Sequence, residues 1–549
     1  MSTSMHFRSA QSIPCLRKVA TAFLLLFASI WPYSVNAEQG HAAAAQPPPP
    51  PATPTFVIRG FDITGDNPLA DGAASRVLAP YLRSDATIET LQKATSALEA
   101  ELKDNGYTLY RVVLPPQEVG AAVTLNIVKF VIGKVTIEGR ERLSESNIRA
   151  SLPELKEGTV PNFRTLAVQT AISNESQGKQ LQVSLKESSE PDKIDARIAV
   201  KEAKPWLFSV GESNTGSSAT GNDRLTVAGS HSNLFDLDHQ LTAAYTTSLE
   251  RPADVRQLGL NYRIPLYLFG GVAGVSYTHS DVVGDFGAFS STGAGQTFGL
   301  NYNHYLPPDG GYRSYVVIGL DDKRFDVTQI NGVPLAGQQM RRSRPLSLGY
   351  TAKMESDTTV WGYNVDLSTN LAGGSGNDLV SYQSEDPRVS TVNWKILRGG
   401  ANYLTSVGGG WLWGLRGQFQ MSNDALISGE QFGLGGVTSV RGSAERVVAG
   451  DSGYMLSTEL TTREVLPGLR LLGFVDAGWL SNKNPNGNPK PAIDSLSSAG
   501  VGLRYSLPKV TVTADFGHVF SGSKLPNVAG SGLPQSGDQK LHVNVSARF

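Results

Sequence analysis

Lys540 to Phe549, KLHVNVSARF, is the stretch on which the fold turns. Leu541, Val543, Val545, Ala547 and Phe549 take alternate positions, with Lys540, His542, Asn544, Ser546 and Arg548 between them. Period-two alternation makes a strand with one apolar and one polar face. Such a strand suits the edge of a soluble β-sheet or the wall of a membrane barrel, and ten residues do not choose between them.

Toward the N-terminus the alternation recurs. Trp411/Trp413/Leu415, Ala499/Val501/Leu503 and Val510/Val512/Ala514 are examples, separated by stretches rich in Gly, Asn, Asp and Pro. Helical patterns are not expected after Trp206. Strands are expected to start near 206, 224, 239, 254, 269, 297, 312, 344, 359, 391, 411, 452, 469, 497, 509 and 540. Sixteen is an even number, as single-chain bacterial barrels require, and a propeller would need a blade repeat of about 40–45 residues that is absent here. The apolar fraction of 40% and 58 glycines, with a mean hydropathy of −0.17, fit strands of which only one face is apolar.

The N-terminus sets the compartment. Arg8, Arg17 and Lys18 precede the apolar run Val19–Trp31, and Val35-Asn36-Ala37 offers a small residue at which to cut. Residues 1–37 therefore read as a secretory signal peptide. No other run approaches the ~18 apolar residues of a membrane-spanning helix. Cys15 is the only cysteine, so no disulfide follows it. The whole chain carries a net charge of −1. Without the three basic residues of 1–37 the balance becomes about −4, which gives no support for a nucleic-acid partner.

Residues 38–55 read as a proline-rich linker, stiffened by Pro47 to Pro51. Residues 56–130 and 131–204 each carry the element order β-α-α-β-β. In the first, helices are expected over 73–83 and 87–105, the second with an apolar face of Ile88, Leu91, Ala94, Leu98 and Leu102. In the second, helices are expected over 144–151 and 161–173. Two units of one order suggest a tandem repeat.

Several motifs carry a family resemblance. Gly106-Tyr107, placed at the second strand, and Leu114-Pro115-Pro116-Gln117 after it resemble the first POTRA domain of two-partner secretion transporters (TpsB proteins such as FhaC and ShlB). Gly211 to Asp238 resembles the opening hairpin of that family's barrel, with an Asn-Leu-containing turn. Leu434-Gly435-Gly436-Val437-Thr438-Ser439-Val440-Arg441-Gly442 resembles the signature of an inward-folded loop, about 423–451, and Phe474-Val475-Asp476-Ala477-Gly478 its partner motif. The terminal Phe549 resembles the residue by which the assembly machinery reads outer-membrane barrels. The resemblance implies two periplasmic α+β POTRA domains followed by a 16-stranded antiparallel transmembrane β-barrel over 205–549.

The pairing of motifs has a physical sense. On a strand from Leu469, odd residues would face lipid and Asp476 the lumen, where Arg441 could meet it as a planar fork on a carboxylate. Glu459 should also face the lumen, either joining that pair or standing solvated beside it. Gly435, Gly436 and Gly442 would let the loop turn tightly, and Gly478 completes the barrel-side motif. Two features depart from the family. Ser443 stands where an aromatic usually follows Arg-Gly, and the 18 residues 38–55 leave no room for a ~20-residue plug helix.

Other signals are set aside. Gly450-Asp451-Ser452-Gly453 has the look of a protease nucleophile but lacks a histidine base, and reads as a turn. His231 and His239 are expected in or beside turns, in water. No metal-ligand spacing or phosphate loop is present, so neither enzyme chemistry nor a cofactor is implied. The implied function is ATP-independent export of one large β-helical exoprotein (a TpsA-like haemolysin, adhesin or contact-dependent toxin) across the outer membrane. Outer-membrane lipid and the barrel assembly machinery are the other expected partners. A BamA-like assembly factor is the first alternative and a passive porin the second.

Overall fold

The structure is a computed structural model that describes residues 54–118, 120, 122–330, 333–486, 490–525 and 532–549. The expected signal peptide, most of the proline-rich linker and the question of a plug helix fall outside the described residues.

The first repeat runs β1 (Gly60–Gly65), α1 (Ala73–Leu78), α2 (Ile88–Asp104), β2 (Tyr110–Val113) and β3 (Ala122–Lys129). The second runs β4 (Val131–Glu138), α3 (Glu145–Ser151), α4 (Phe163–Ser173), β5 (Lys179–Glu187) and β6 (Lys193–Glu202). The sheets have one topology, β1-β3-β2 and β4-β6-β5, with the first strand parallel to the last. Thr87 caps α2 by accepting from the Thr90 amide, and Leu91, Ala94, Leu98 and Leu102 bury its apolar face. Ile88 departs from the expected face: it is 61% exposed, because it sits in the first turn before the helix meets the sheet. Tyr107 also precedes its expected strand; it lies in the turn closing α2, edge-on to Tyr110.

Sixteen strands close into the barrel: β7 (Trp206–Ser213), β8 (Arg224–Leu234), β9 (His239–Thr247), β10 (Arg256–Leu266), β11 (Gly271–Ser280), β12 (Gly295–Tyr305), β13 (Tyr312–Phe325), β14 (Arg341–Ser343 and Pro345–Glu355), β15 (Thr359–Asn370), β16 (Lys395–Gly408), β17 (Trp411–Ser422), β18 (Ser452–Thr461), β19 (Leu469–Ser481), β20 (Ile493–Ser506), β21 (Val510–Ser521) and β22 (Gln539–Arg548). Both pieces of β14 pair with β13, and the break falls at Arg344, before a proline that has no N–H to donate. Closure is by β22 on β7, from Asn544↔Ser213 to Arg548↔Ser209.

Connections at the end bearing the repeats have two to seven residues, and those at the far end eight to twenty-nine. Short turns mark the periplasmic side and long loops the exterior. Strand alternation sorts the two faces: Leu471, Val475 and Trp479 are exposed toward lipid, while Leu472, Phe474 and Asp476 are buried toward the lumen. Aromatic pairs ring the periplasmic rim (Tyr312–Trp361, Tyr403–Trp413), as interfacial girdles do.

Three further features differ from the sequence reading. One short helix, α5 (Leu379–Glu385), does follow Trp206; Asp378 caps it, and it lies in the 371–394 loop that delays β16 to Lys395. Gly450 to Gly453 is not the expected turn: only Asp451 bends, between two strands, and it is a fully buried carboxylate that Arg388 approaches at 2.9 Å. His239 does open its strand beside a turn and His231 lies within β8, but both are half-buried, His239 bonding the Tyr262 hydroxyl at 2.6 Å.

Candidate functional site

Residues 423–451 leave the exterior end between β17 and β18 and fold back into the barrel. Their stem is a short hairpin, Phe432–Leu434 on Val448–Gly450. The path is fixed by bonds around the wall: Glu430 to Lys323 of β13 and Arg398 of β16, Arg441 to β18 and β19, and Gly442 to His542 of β22. Partners spread so widely around a closed barrel can be reached only from its lumen.

At the tip, Arg441 and Asp476 are both buried. Nε of Arg441 donates to Oδ2 of Asp476 at 2.7 Å and Nη2 to Oδ1 at 2.7 Å, a two-pronged bond that fixes orientation. The Arg441 amide adds a third bond to Oδ2 at 3.1 Å. Nη1 reaches Glu459 at 2.5 Å, and the guanidinium lies 3.5 Å from the centre of the Phe474 ring. Asp515 stands 3.6 Å away but is itself clamped by Arg504.

The glycines shape this seat. Gly436 has φ +94°, and a Cβ there would lie 2.0 Å from the Glu445 carboxylate. Gly442 has φ +93° and faces Gly517 of β21, whose own Cβ would fall 2.6 Å from the Gly442 amide. Gly435 is also left-handed, and Gly478 leaves the space that Leu434 fills. Ser443, in place of an aromatic, turns its hydroxyl back to the Val440 carbonyl at 3.1 Å. The tip is anchored elsewhere: the Gly442 amide donates to Nε2 of buried His542 at 3.0 Å.

Two carboxylates of the loop differ in charge state. Burial would raise Glu430, but Lys323 and Arg398, with the Ser343 hydroxyl, hold it at about 2. Glu445 is pushed up to about 7 by burial; the Val437 amide pulls it down, Asp285 raises it and Lys540 lowers it.

The other sequence-derived residues lie apart from this group. Gly106 ends α2 with φ +91°, its carbonyl accepting from Phe163 at the head of α4. Pro115 has no N–H to extend β2, and the Gln117 side chain substitutes, bonding both the amide and carbonyl of Thr124 at 2.8 Å. Tyr107 packs in the first repeat's core. Phe549 is exposed at the periplasmic rim, its amide on the Phe208 carbonyl.

Sequence reasoning missed His542, counted there as one of the wet positions of the last strand. It also missed a second lumenal insert. The hairpin Gly284–Phe286/Phe289–Ser291 buries Phe286 and sets the Phe289 ring where a Gly259 side chain would be. Thr292 joins it to the long loop through the Gly429 carbonyl at 2.8 Å. The only signal available was the close spacing of Phe286 and Phe289.

Comparison with known proteins places this geometry. The family described as haemolysin secretion/activation protein ShlB/FhaC/HecB matches residues 192–505, and the ShlB-type POTRA domain matches 56–129. The outer membrane transporter CdiB of Dickeya dadantii is 23% identical over 485 residues, covering 84% of this chain and 82% of its own. The heme/hemopexin transporter protein HuxB of Haemophilus influenzae is 20% identical over 455 residues, covering 79% and 77%. Among solved structures, CdiB from Escherichia coli superposes with a TM-score of 0.71 at 20% identity, over 92% of this chain and 93% of that one. CdiB from Acinetobacter baumannii gives 0.67 at 16% identity over 90% of each. The assembly-factor alternative gains nothing from these matches. With more than half its length matched, the chain belongs to the haemolysin secretion/activation family ShlB/FhaC/HecB, the outer-membrane transporters of two-partner secretion.

Proposed function

We propose that this transporter exports one large β-helical exoprotein through its barrel, with loop 423–451 as the gate and Arg441–Asp476 as its latch. One observation carries the reading: the lumen is crossed by a loop held at its tip through side chains rather than by a continuous strand ladder. Such an obstruction can leave without unravelling the wall. Glu459 and the Phe474 ring support the latch from β18 and β19; Gly435, Gly436, Gly442 and Gly478 give it room.

In this reading residues 56–130 and 131–204 are two POTRA domains after a linker at 38–55, and 205–549 is the barrel. Gly106, Tyr107, Pro115 and Gln117 maintain the fold of the first domain. Exposed sheet edges such as β2 and β5 receive an unfolded segment of exoprotein as an added strand, which gives affinity through backbone bonds with little demand on sequence. The segment then displaces the loop, and folding outside prevents return without ATP. Phe549 serves recognition by the barrel assembly machinery, and the lipid-facing rows sit in the outer membrane.

The test is deletion of residues 56–204 in the bacterium that carries the gene, with its culture medium read for large secreted protein. Export should stop while the barrel still assembles and conducts small ions. Unchanged export after the deletion would overturn the reading.

A further inference from the structure

The Asn-Leu-containing turn singled out in the opening hairpin has a place in the structure that the gate does not use. It connects β8 to β9 on the periplasmic side and carries Asp238 into the second repeat. Lys179, the first residue of β5, meets it: Nζ lies 2.6 Å from Oδ2 of Asp238, and both side chains are almost wholly buried, at 1% and 3% exposure. A buried charge pair survives only when its remaining bonds are made.

Here they are. Tyr267, in the next periplasmic turn, donates its hydroxyl to Oδ2 at 2.7 Å, and Ser151 of α3 lies 3.0 Å from the same oxygen. Asn147, one helical turn before Ser151, donates to Oδ1 at 3.1 Å. The Asn147 side-chain oxygen Oδ1 in turn accepts from Lys179 Nζ at 2.8 Å. Two periplasmic turns of the barrel and two elements of the second repeat thus share one satisfied core.

The backbone of the turn is bent to this purpose. Phe235, Asp236 and Asp238 all have φ near +60°, a region that non-glycine residues visit rarely and aspartate more readily than most. Strain of this kind persists where surrounding contacts demand it. An apolar collar borders the polar core, with Val168 and Ile172 of α4 on Tyr267, Val272 and Tyr305.

We infer that Lys179 and Asp238 are a positioning pair, a joint that aims the second repeat at the periplasmic mouth so that a bound segment enters the lumen. The inference rests on the export reading for its purpose but not for its geometry. Export should therefore depend on how the repeats are oriented as well as on their presence.

Spin labels at exposed Lys186 of β5 and Leu268 of the barrel turn, in a Cys15→Ser background, read the joint directly in the full chain. The parent should give one narrow distance distribution. Asp238→Asn keeps the left-handed backbone but strands the Lys179 charge. It should broaden the distribution and cut the export of large secreted protein at least tenfold per folded, heat-modifiable barrel. Lys179→Met with Asp238→Asn removes both charges and should return export to within about threefold of the parent. Tyr267→Phe, a milder change, should broaden less and covers the case in which Asp238→Asn does not fold. Unchanged distances in the single variants would overturn the joint, as would broadened distances with parental export, or a double variant as impaired as Asp238→Asn. A parent that exports nothing would defeat the export reading alone, because the distance measurement needs no substrate.

Discussion

Replacing Asp476 by asparagine keeps the shape of the latch and removes its charge. The Arg441 guanidinium would lose both charged prongs at 2.7 Å, though Glu459 at 2.5 Å and Asp515 at 3.6 Å would still compensate it. Breaking one side of a buried pair costs about 3–5 kcal/mol, and this compensation places Asp476→Asn near about 3. Arg441→Ala should cost more, about 4 kcal/mol, because it leaves Asp476 buried without its cation. If the two act through one another, the double variant costs about 5 rather than about 7, a coupling of about 2 kcal/mol. These are free energies of seating the loop, so they appear as populations: about 3 kcal/mol is roughly a hundredfold more time unseated. Ser443→Cys, in a Cys15→Ser background, reports that time, since position 443 is only 5% exposed when the tip is seated. Its labelling by a membrane-impermeant maleimide should accelerate about a hundredfold with Asp476→Asn. Labelling at the parental rate in both single variants, or strictly additive effects in the double, would refute a latch.

Other expectations follow from the same seat. Glu445 is held near pH 7 when seated and has an ordinary value of 4.5 in water, so the seated loop binds a proton that the released loop gives up. Seating therefore weakens as pH rises from about 4.5 to about 7, by at most about 3 kcal/mol, and is flat above. Channel openings in planar bilayers should increase over that range in the parent and lose the dependence in Glu445→Gln. Gly517→Leu puts a side chain where the Gly442 amide lies, so it should raise conductance with every charge intact. His542→Ala removes the acceptor of the Gly442 amide and should cost about 1–3 kcal/mol, giving faster labelling at position 443 with an unchanged barrel.

The barrel was legible in the sequence because lipid on one side and a wet lumen on the other impose strict alternation. Each of the sixteen expected strand starts falls within about four residues of a strand in the structure. Starts drifted where a loop was ordered: β16 begins at Lys395 because 371–394 folds over α5. Arg441 and Asp476 were legible as a pair because their two motifs resemble a family's loop and barrel signatures, and alternation alone turns Asp476 to the lumen. His542 was not, since its partner lies 100 residues away and a polar residue on a barrel strand ordinarily meets only lumen water. Asp451 misled for a related reason. A Gly-Asp-Ser-Gly stretch has turn chemistry, and its burial depends on Arg388 from a distant loop. Lys179 and Asp238 each look like a surface charge until the two folds are docked.

In the export reading, exoprotein passes through the lumen that the loop now crosses. A photo-crosslinking amino acid at Glu459 faces that lumen, and one at Leu456, on the same strand, faces lipid. During export of the large secreted protein, position 459 should yield an adduct and position 456 none. An adduct at 456 alone, or at neither position while export proceeds, would contradict passage through the barrel.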